Sequence, residues 1–211
     1  MRIFSSLFFA LAFFPLSAAE REPIRVLLIT PVHESVLAGA KFGAEEAQMT
    51  ARLLDREFVL IVKTTVDPDE AAALAKNTRN VDAIAGGITR EMSDAIAKAA
   101  RVPFLEIRAI TDAAGSSDDG RFRLTPPASG ALTWHHELER FGAGELNQRF
   151  KRSTGRNMDS EAYTAWLAMK IVVESELRTR PIEEIRIDGH KGVLLKFDDK
   201  RVLQQPVYLN D

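Results

Sequence analysis

The residues best suited to holding a ligand fall in three short groups. They are Thr30, Pro31 and His33; Gly86, Gly87, Ile88 and Thr89; and Arg108 with Ala109. Gly86 and Gly87 permit a sharp turn and a close approach of the backbone to a bound group. Thr89 has a helix-capping side chain, and the spacing of Met92, Ile96 and Ala99 predicts an amphipathic helix behind it. The amides after Gly87 then lie at a helix N-terminus, where free N–H groups and the helix dipole favour a carboxylate or hydroxyl. Thr89 adds a hydroxyl, and Arg108 supplies a positive charge. The same stretch also suits an ordinary strand-to-helix connection that binds nothing.

Other reactive side chains point to no reaction. Of the four histidines, His135 and His136 are adjacent and precede Glu137, so they lack the i, i+4 geometry of a helical metal pair. His33 and His190 are isolated in sequence, and no metal site is predicted. There is no cysteine and hence no thiol chemistry. Ser35, Ser93 and Ser160 sit at helix starts or in helical patterns, as caps or surface residues rather than nucleophiles. The chain has no nucleophile elbow, P-loop or dinucleotide fingerprint, so no catalytic residue and no cofactor is predicted, and the protein reads as a non-enzyme. Trp166, Tyr163 and Met169 have the spacing of a packed helix, and Arg178 and Arg180 suit a helix C-terminus. Lys191, between His190 and Gly192, reads as a solvated loop lysine.

Composition narrows the class further. With 211 residues, 45% hydrophobic, 27% charged and a net charge of −2, the chain is globular in character and lacks the basic surface of a nucleic-acid binder. Residues 1–19 have the form of a secretory signal peptide. Arg2 is the positive end, residues 3–16 are apolar, and Ser17-Ala18-Ala19 is a small-residue cleavage site. Cleavage after Ala19 would release a periplasmic protein, not membrane-inserted, without a lipidated cysteine or disulfides.

The elements that must position the three groups alternate in type. IRVLLIT (24–30) is a buried parallel strand, followed by a helix over 35–54 in which Gly39 and Gly43 would allow close packing on the sheet. A second strand covers 58–62. Asp67 and Pro68 open a second helix, in the cap and first positions. Strands from Val81 and from Phe104 enclose the helix begun by Thr89. This is a doubly wound parallel α/β sheet. Ligands of such sheets lie beyond the carboxyl ends of the strands, where the three groups fall. Beyond Arg108 the pattern weakens. Residues 111–120 read as loop, 121–125 as a short strand and 132–140 as helical. Helices over 143–152 and 160–178 and a terminal hairpin over 193–209 follow.

The tail carries a family resemblance. ELNQRF (145–150), TGRNMD (154–159), AYTAWLAMK (162–170), DGHKG (188–192) and LQQPVY (203–208) are similar to the end of one group of proteins, and KFGAEEA (41–47) fits its first helix. The group is the type I periplasmic substrate-binding proteins of ABC transporters. Its branch is the one associated with pyrroloquinoline-quinone-dependent alcohol dehydrogenase systems. The resemblance implies a solute-binding protein for a small polar ligand, held at the loops of the first lobe. Its expected partners are an ABC transporter permease or a second copy of the chain, not nucleic acid. Family members close two lobes on a ligand, whereas here most of the second lobe is missing between Pro126 and Trp134. The expected layout is therefore a signal peptide over 1–19 and a single lobe over 20–211, made of a βαβ half (20–125) and returning helices and strands (126–211). The alternative is a non-enzymatic interaction or scaffold protein whose exposed lobe face binds a partner protein or itself.

Overall fold

Strand and helix alternate through the first half of the chain and build one parallel sheet. The computed structural model describes residues 21–107, 120–125 and 131–209. β1 (Ile24–Thr30) leads into α1 (Glu34–Arg52), β2 (Phe58–Thr64), α2 (Pro68–Asn77), β3 (Ala83–Gly86), α3 (Arg90–Ala99) and β4 (Phe104–Glu106). β5 (Arg121–Arg123) completes a five-stranded sheet in the order β2-β1-β3-β4-β5, and every neighbouring pair is parallel. Asp67 caps α2 through the Asp69 amide at 2.9 Å with Pro68 in the first position, as the sequence predicts.

The second half covers this sheet. β6 (Ala131–Leu132), α4 (Ala143–Thr154) and α5 (Ser160–Arg178) are followed by β7 (Arg186–Asp188), β8 (Leu194–Phe197), β9 (Leu203–Gln204) and β10 (Tyr208–Leu209). β7, β8 and β9 form an antiparallel sheet that meets β5 through an Arg123–Val202 bridge, and β10 pairs with β6. The expected terminal hairpin is therefore split: β8 and β9 pair, but β10 leaves them for β6. The helix expected over 132–140 does not form. Residues 133–139 are irregular, because Asn147 of α4 binds the carbonyls of His135, His136 and Leu138 from outside, so they are not in a helical ladder.

Alternate residues of the strands face two cores. Ile24, Val26 and Leu28 pack under α1 and α5, while Leu27 and Ile29 pack with Met92 and Ile96 of α3. Tyr163, Trp166 and Met169 are buried in the first of these cores, as their spacing predicts. Gly39 and Gly43 do not face the sheet. A Cβ on Gly39 would run into the carbonyl of Ala162, and one on Gly43 would lie 3.0 Å from Trp166 Cα. The two glycines let α1 and α5 run in backbone contact, an approach that any larger residue would block.

Candidate functional site

At the carboxyl end of the sheet, Ile29 of β1 lies in register with Gly86 of β3. The turns after these strands, Thr30–His33 and Gly86–Thr89, are thereby side by side. Gly86 (φ 148°) has no room for a side chain against the Ile29 carbonyl, and Gly87 (φ 74°) sits against Ser93. The Ser93 hydroxyl donates to Gly87 O at 2.6 Å and the Gly87 amide to Ile29 O at 3.4 Å, so the glycine turn is held from two sides. Ile107 donates to Gly86 O at 2.7 Å, which brings the end of β4 to the same crevice. Arg108 and Ala109 follow directly but lie outside the described residues.

The side chains have unequal freedom. Thr89 caps α3, its Oγ1 accepting the Met92 amide at 3.3 Å, and His33 caps α1, its Nδ1 accepting the Val36 amide at 3.5 Å. Pro31 is half-buried and Ile88 buried, and they serve as walls. Thr30 is 0% exposed and, among the described residues, its hydroxyl has no hydrogen-bond partner. A buried hydroxyl without a partner costs roughly 1–3 kcal/mol. Its position in the alternation of β1 places it on the α1–α5 side of the sheet.

Tertiary structure adds neighbours that sequence spacing did not reveal. The N-terminus of α5 meets that of α1, through Ser35 Oγ donating to Asp159 and an ion pair between Arg156 and Glu34. Asp159 also caps α5 by accepting the Ala162 amide at 2.8 Å. The three serines read as caps or surface groups are instead buried cross-links. Ser35 joins α1 to Asp159, Ser93 holds the glycine turn, and Ser160 binds the amides of Thr133 and Trp134 at 3.1 Å. On the other edge, Glu106 is buried between Arg121 Nη1 at 3.1 Å and Arg123 Nε at 3.6 Å, and Arg121 reaches Asp94 at 2.7 Å. Charges this deep demand such pairing.

Lys191 is the clearest departure from expectation. It is 5% exposed, not solvated, with Nζ donating to Gln205 Oε1 at 2.6 Å and Pro206 O at 2.9 Å. The ammonium lies over the rings of Tyr163 (4.8 Å) and Tyr208 (5.5 Å). Burial lowers its pKa from 10.5 to about 7. Burial also raises the Tyr163 phenol, with help from Tyr208 and Asp188. Gln205 in turn donates to Leu124 O at 2.5 Å, so this lysine ties the C-terminal segment to the end of β5.

The His135 and His136 rings lie 4.5 Å apart, tilted by 33°, and His135 Nδ1 accepts the Glu137 amide at 3.2 Å, within its own loop. A groove of about 560 Å³ between this loop and α4, lined by His136, Glu137, Asn147, Gln148 and Lys151, shares no residue with the strand-end crevice. His190 is half-buried, and burial lowers its pKa against the opposing pull of Asp188.

No protein-family model matches the sequence, and no curated protein does. Solved structures match the fold. One is a solute-binding protein of an ABC transporter from R. palustris in complex with benzoate. It is 11% identical, with a TM-score of 0.67 over 88% of this chain and 92% of that one. A putative branched-chain amino acid ABC transporter protein from Rhodospirillum rubrum is 9% identical, with a TM-score of 0.67 over 88% and 96%. A leucine-binding protein from Thermotoga maritima is 11% identical, with a TM-score of 0.63 over 87% and 94%. The described residues therefore form an α/β lobe with the fold of type I periplasmic binding proteins, and no helix among them is long and apolar enough to cross a membrane.

Proposed function

We propose that this chain is an exported, non-enzymatic solute-binding component of an ABC transporter, reduced to one lobe. It serves a pyrroloquinoline-quinone-dependent alcohol dehydrogenase system and holds a small polar ligand over the ends of β1, β3 and β4. The ligand contacts are Thr30, Pro31, His33, Gly86, Gly87, Ile88, Thr89, Arg108 and Ala109. The observation that carries this reading is the buried Thr30 hydroxyl, without a hydrogen-bond partner among the described residues, at the end of β1 beside the capped start of α1. The fold likeness to a solute-binding protein in complex with benzoate and to a leucine-binding protein supports a carboxylate-bearing ligand. A single lobe leaves its ligand in contact with water, so affinity is low unless a partner covers it.

The test is a thermal-shift and calorimetric screen of alcohols, their acids, amino acids and the quinone cofactor on the purified protein. Binding should be lost in Thr30→Val, whose fold is retained because a methyl of similar size replaces a buried hydroxyl that has no partner among the described residues. Arg108→Ala should weaken binding of acids. Thr89→Ser should retain the cap and bind, whereas Thr89→Ala should lower stability by about 1 kcal/mol through the lost cap. A ligand whose affinity ignores Thr30→Val and Arg108→Ala would refute the placement. A second reading is a protein-docking role for the same rim. It is favoured by Val32 and Val66, which stand 79% and 81% exposed after β1 and β2. Loss of a captured protein partner on Val32→Ser/Val66→Ser, with no small ligand found, would decide for it.

A further inference from the structure

β2 is a seven-residue edge strand whose outer side is unpaired among the described residues. Its register with β1 runs unbroken from Ile24–Phe58 to Thr30–Thr64. The Ile24 amide donates to Glu57 O and the Thr65 amide to Thr30 O, so the odd-numbered residues of β2 turn their backbone groups towards β1. The even-numbered ones, Phe58, Leu60, Val62 and Thr64, therefore direct N–H and C=O outwards. Among the described residues, only the Phe58 amide of these has a side-chain partner, Gln48 Oε1 at 2.9 Å. Edges are usually blunted by proline, a bulge or an inward charge, and residues 58–62 (FVLIV) carry none of these.

The two charges that flank this run are complementary under self-pairing. Glu57 and Lys63 are both exposed, and among the described residues neither is in an ion pair. An antiparallel pair with Leu60 on a twofold axis sets Glu57 opposite Lys63 of the second copy, twice by symmetry. Phe58 then faces Val62, and Val59 faces Ile61. The outward amides of Leu60 and Val62 meet the carbonyls of Leu60 and Phe58 in the other copy, and the Phe58 amide exchanges Gln48 Oε1 for the Val62 carbonyl of that copy. The axis stands perpendicular to the sheet, so Leu60 and Val62 remain on the α1 side and Ile61 on the α2 side in both copies. Moving the axis to Val62 would place Lys63 beside Ile61 and lose both charge pairs.

We propose that the outer edge of β2 is a self-association surface on which a second copy of this chain pairs antiparallel about Leu60, joining the two sheets into one. The surface is independent of the ligand crevice. Sedimentation velocity on the purified protein should show a concentration-dependent dimer, and amide exchange at Leu60 and Val62 should slow as concentration rises. Glu57→Lys and Lys63→Glu each turn two attractions into repulsions, so each should raise the dissociation constant about tenfold. An equimolar mixture of the two variants restores both pairs and should associate more tightly than either alone. A monomer at every concentration would overturn the proposal. So would a dimer or aggregate indifferent to both reversals, or Leu60 exchange that ignores concentration.

Discussion

Lys191→Met separates the charge of the buried lysine from its bulk. In the folded protein the ammonium has a pKa of about 7, against 10.5 unfolded. Below pH 7 both states are protonated, and the full cost of burying the charge is present. Between pH 7 and 10.5 the unfolded chain binds more protons than the folded one, so stability rises with pH. Integrated from pH 7 to 9, the lysine should add about 2 kcal/mol of stability, or roughly 4–8 °C in Tm for a domain of this size. The two tyrosine faces and two acceptors favour the ammonium and are already opposed by the larger effect of burial. Methionine cannot titrate. It leaves Gln205 Oε1 and Pro206 O without their donor at every pH. The quantity to measure is the stability difference between wild type and Lys191→Met, by urea unfolding at pH 7, 8 and 9. That window lies above the lowered His190 and below the raised tyrosines. The difference should move in favour of the wild type by about 2 kcal/mol across the window. Parallel profiles would refute the buried-amine argument, and a difference moving the other way would show that the pocket favours the ammonium.

Gly39→Ala should destabilise by about 3 kcal/mol or prevent folding, because the new methyl meets the Ala162 backbone rather than a movable side chain; thermal melts read this directly. Asn147→Ala removes the acceptor of Trp134 Nε1 and the donor to three loop carbonyls, and should cost about 3 kcal/mol with a changed tryptophan emission. Glu106→Gln leaves Arg121 and Arg123 facing a neutral group in a buried site, and should cost about 3–5 kcal/mol in urea unfolding. Unchanged stability in any of the three would show that the contact is replaced elsewhere.

Features that depend on short-range rules were legible in the amino-acid sequence. Apolar runs such as VLLI (26–29) specify strands buried on both faces, and Asp67-Pro68 and Thr89 specify helix starts by local hydrogen bonding. From these the parallel sheet followed, and with it the end of the sheet where Thr30–His33 and Gly86–Thr89 meet. What depends on remote partners was not legible. His135-His136-Glu137-Leu138 has helical composition, yet Asn147 draws its carbonyls out of any helix. Gly39 and Gly43 announce close packing, but only tertiary structure chose α5 over the sheet as the neighbour. Arg121-Phe122-Arg123 reads as a short strand in the sequence, but only the tertiary pairing of its charges with Glu106 and Asp94 admits it to the parallel sheet as the fifth strand. Lys191 is the same case. A lysine between histidine and glycine looks exposed, and it is buried because Gln205, Pro206 and two tyrosines, distant along the chain, fold over it. Burial is decided by which surfaces meet, and a one-dimensional pattern reports that only when the partner is a neighbour in sequence.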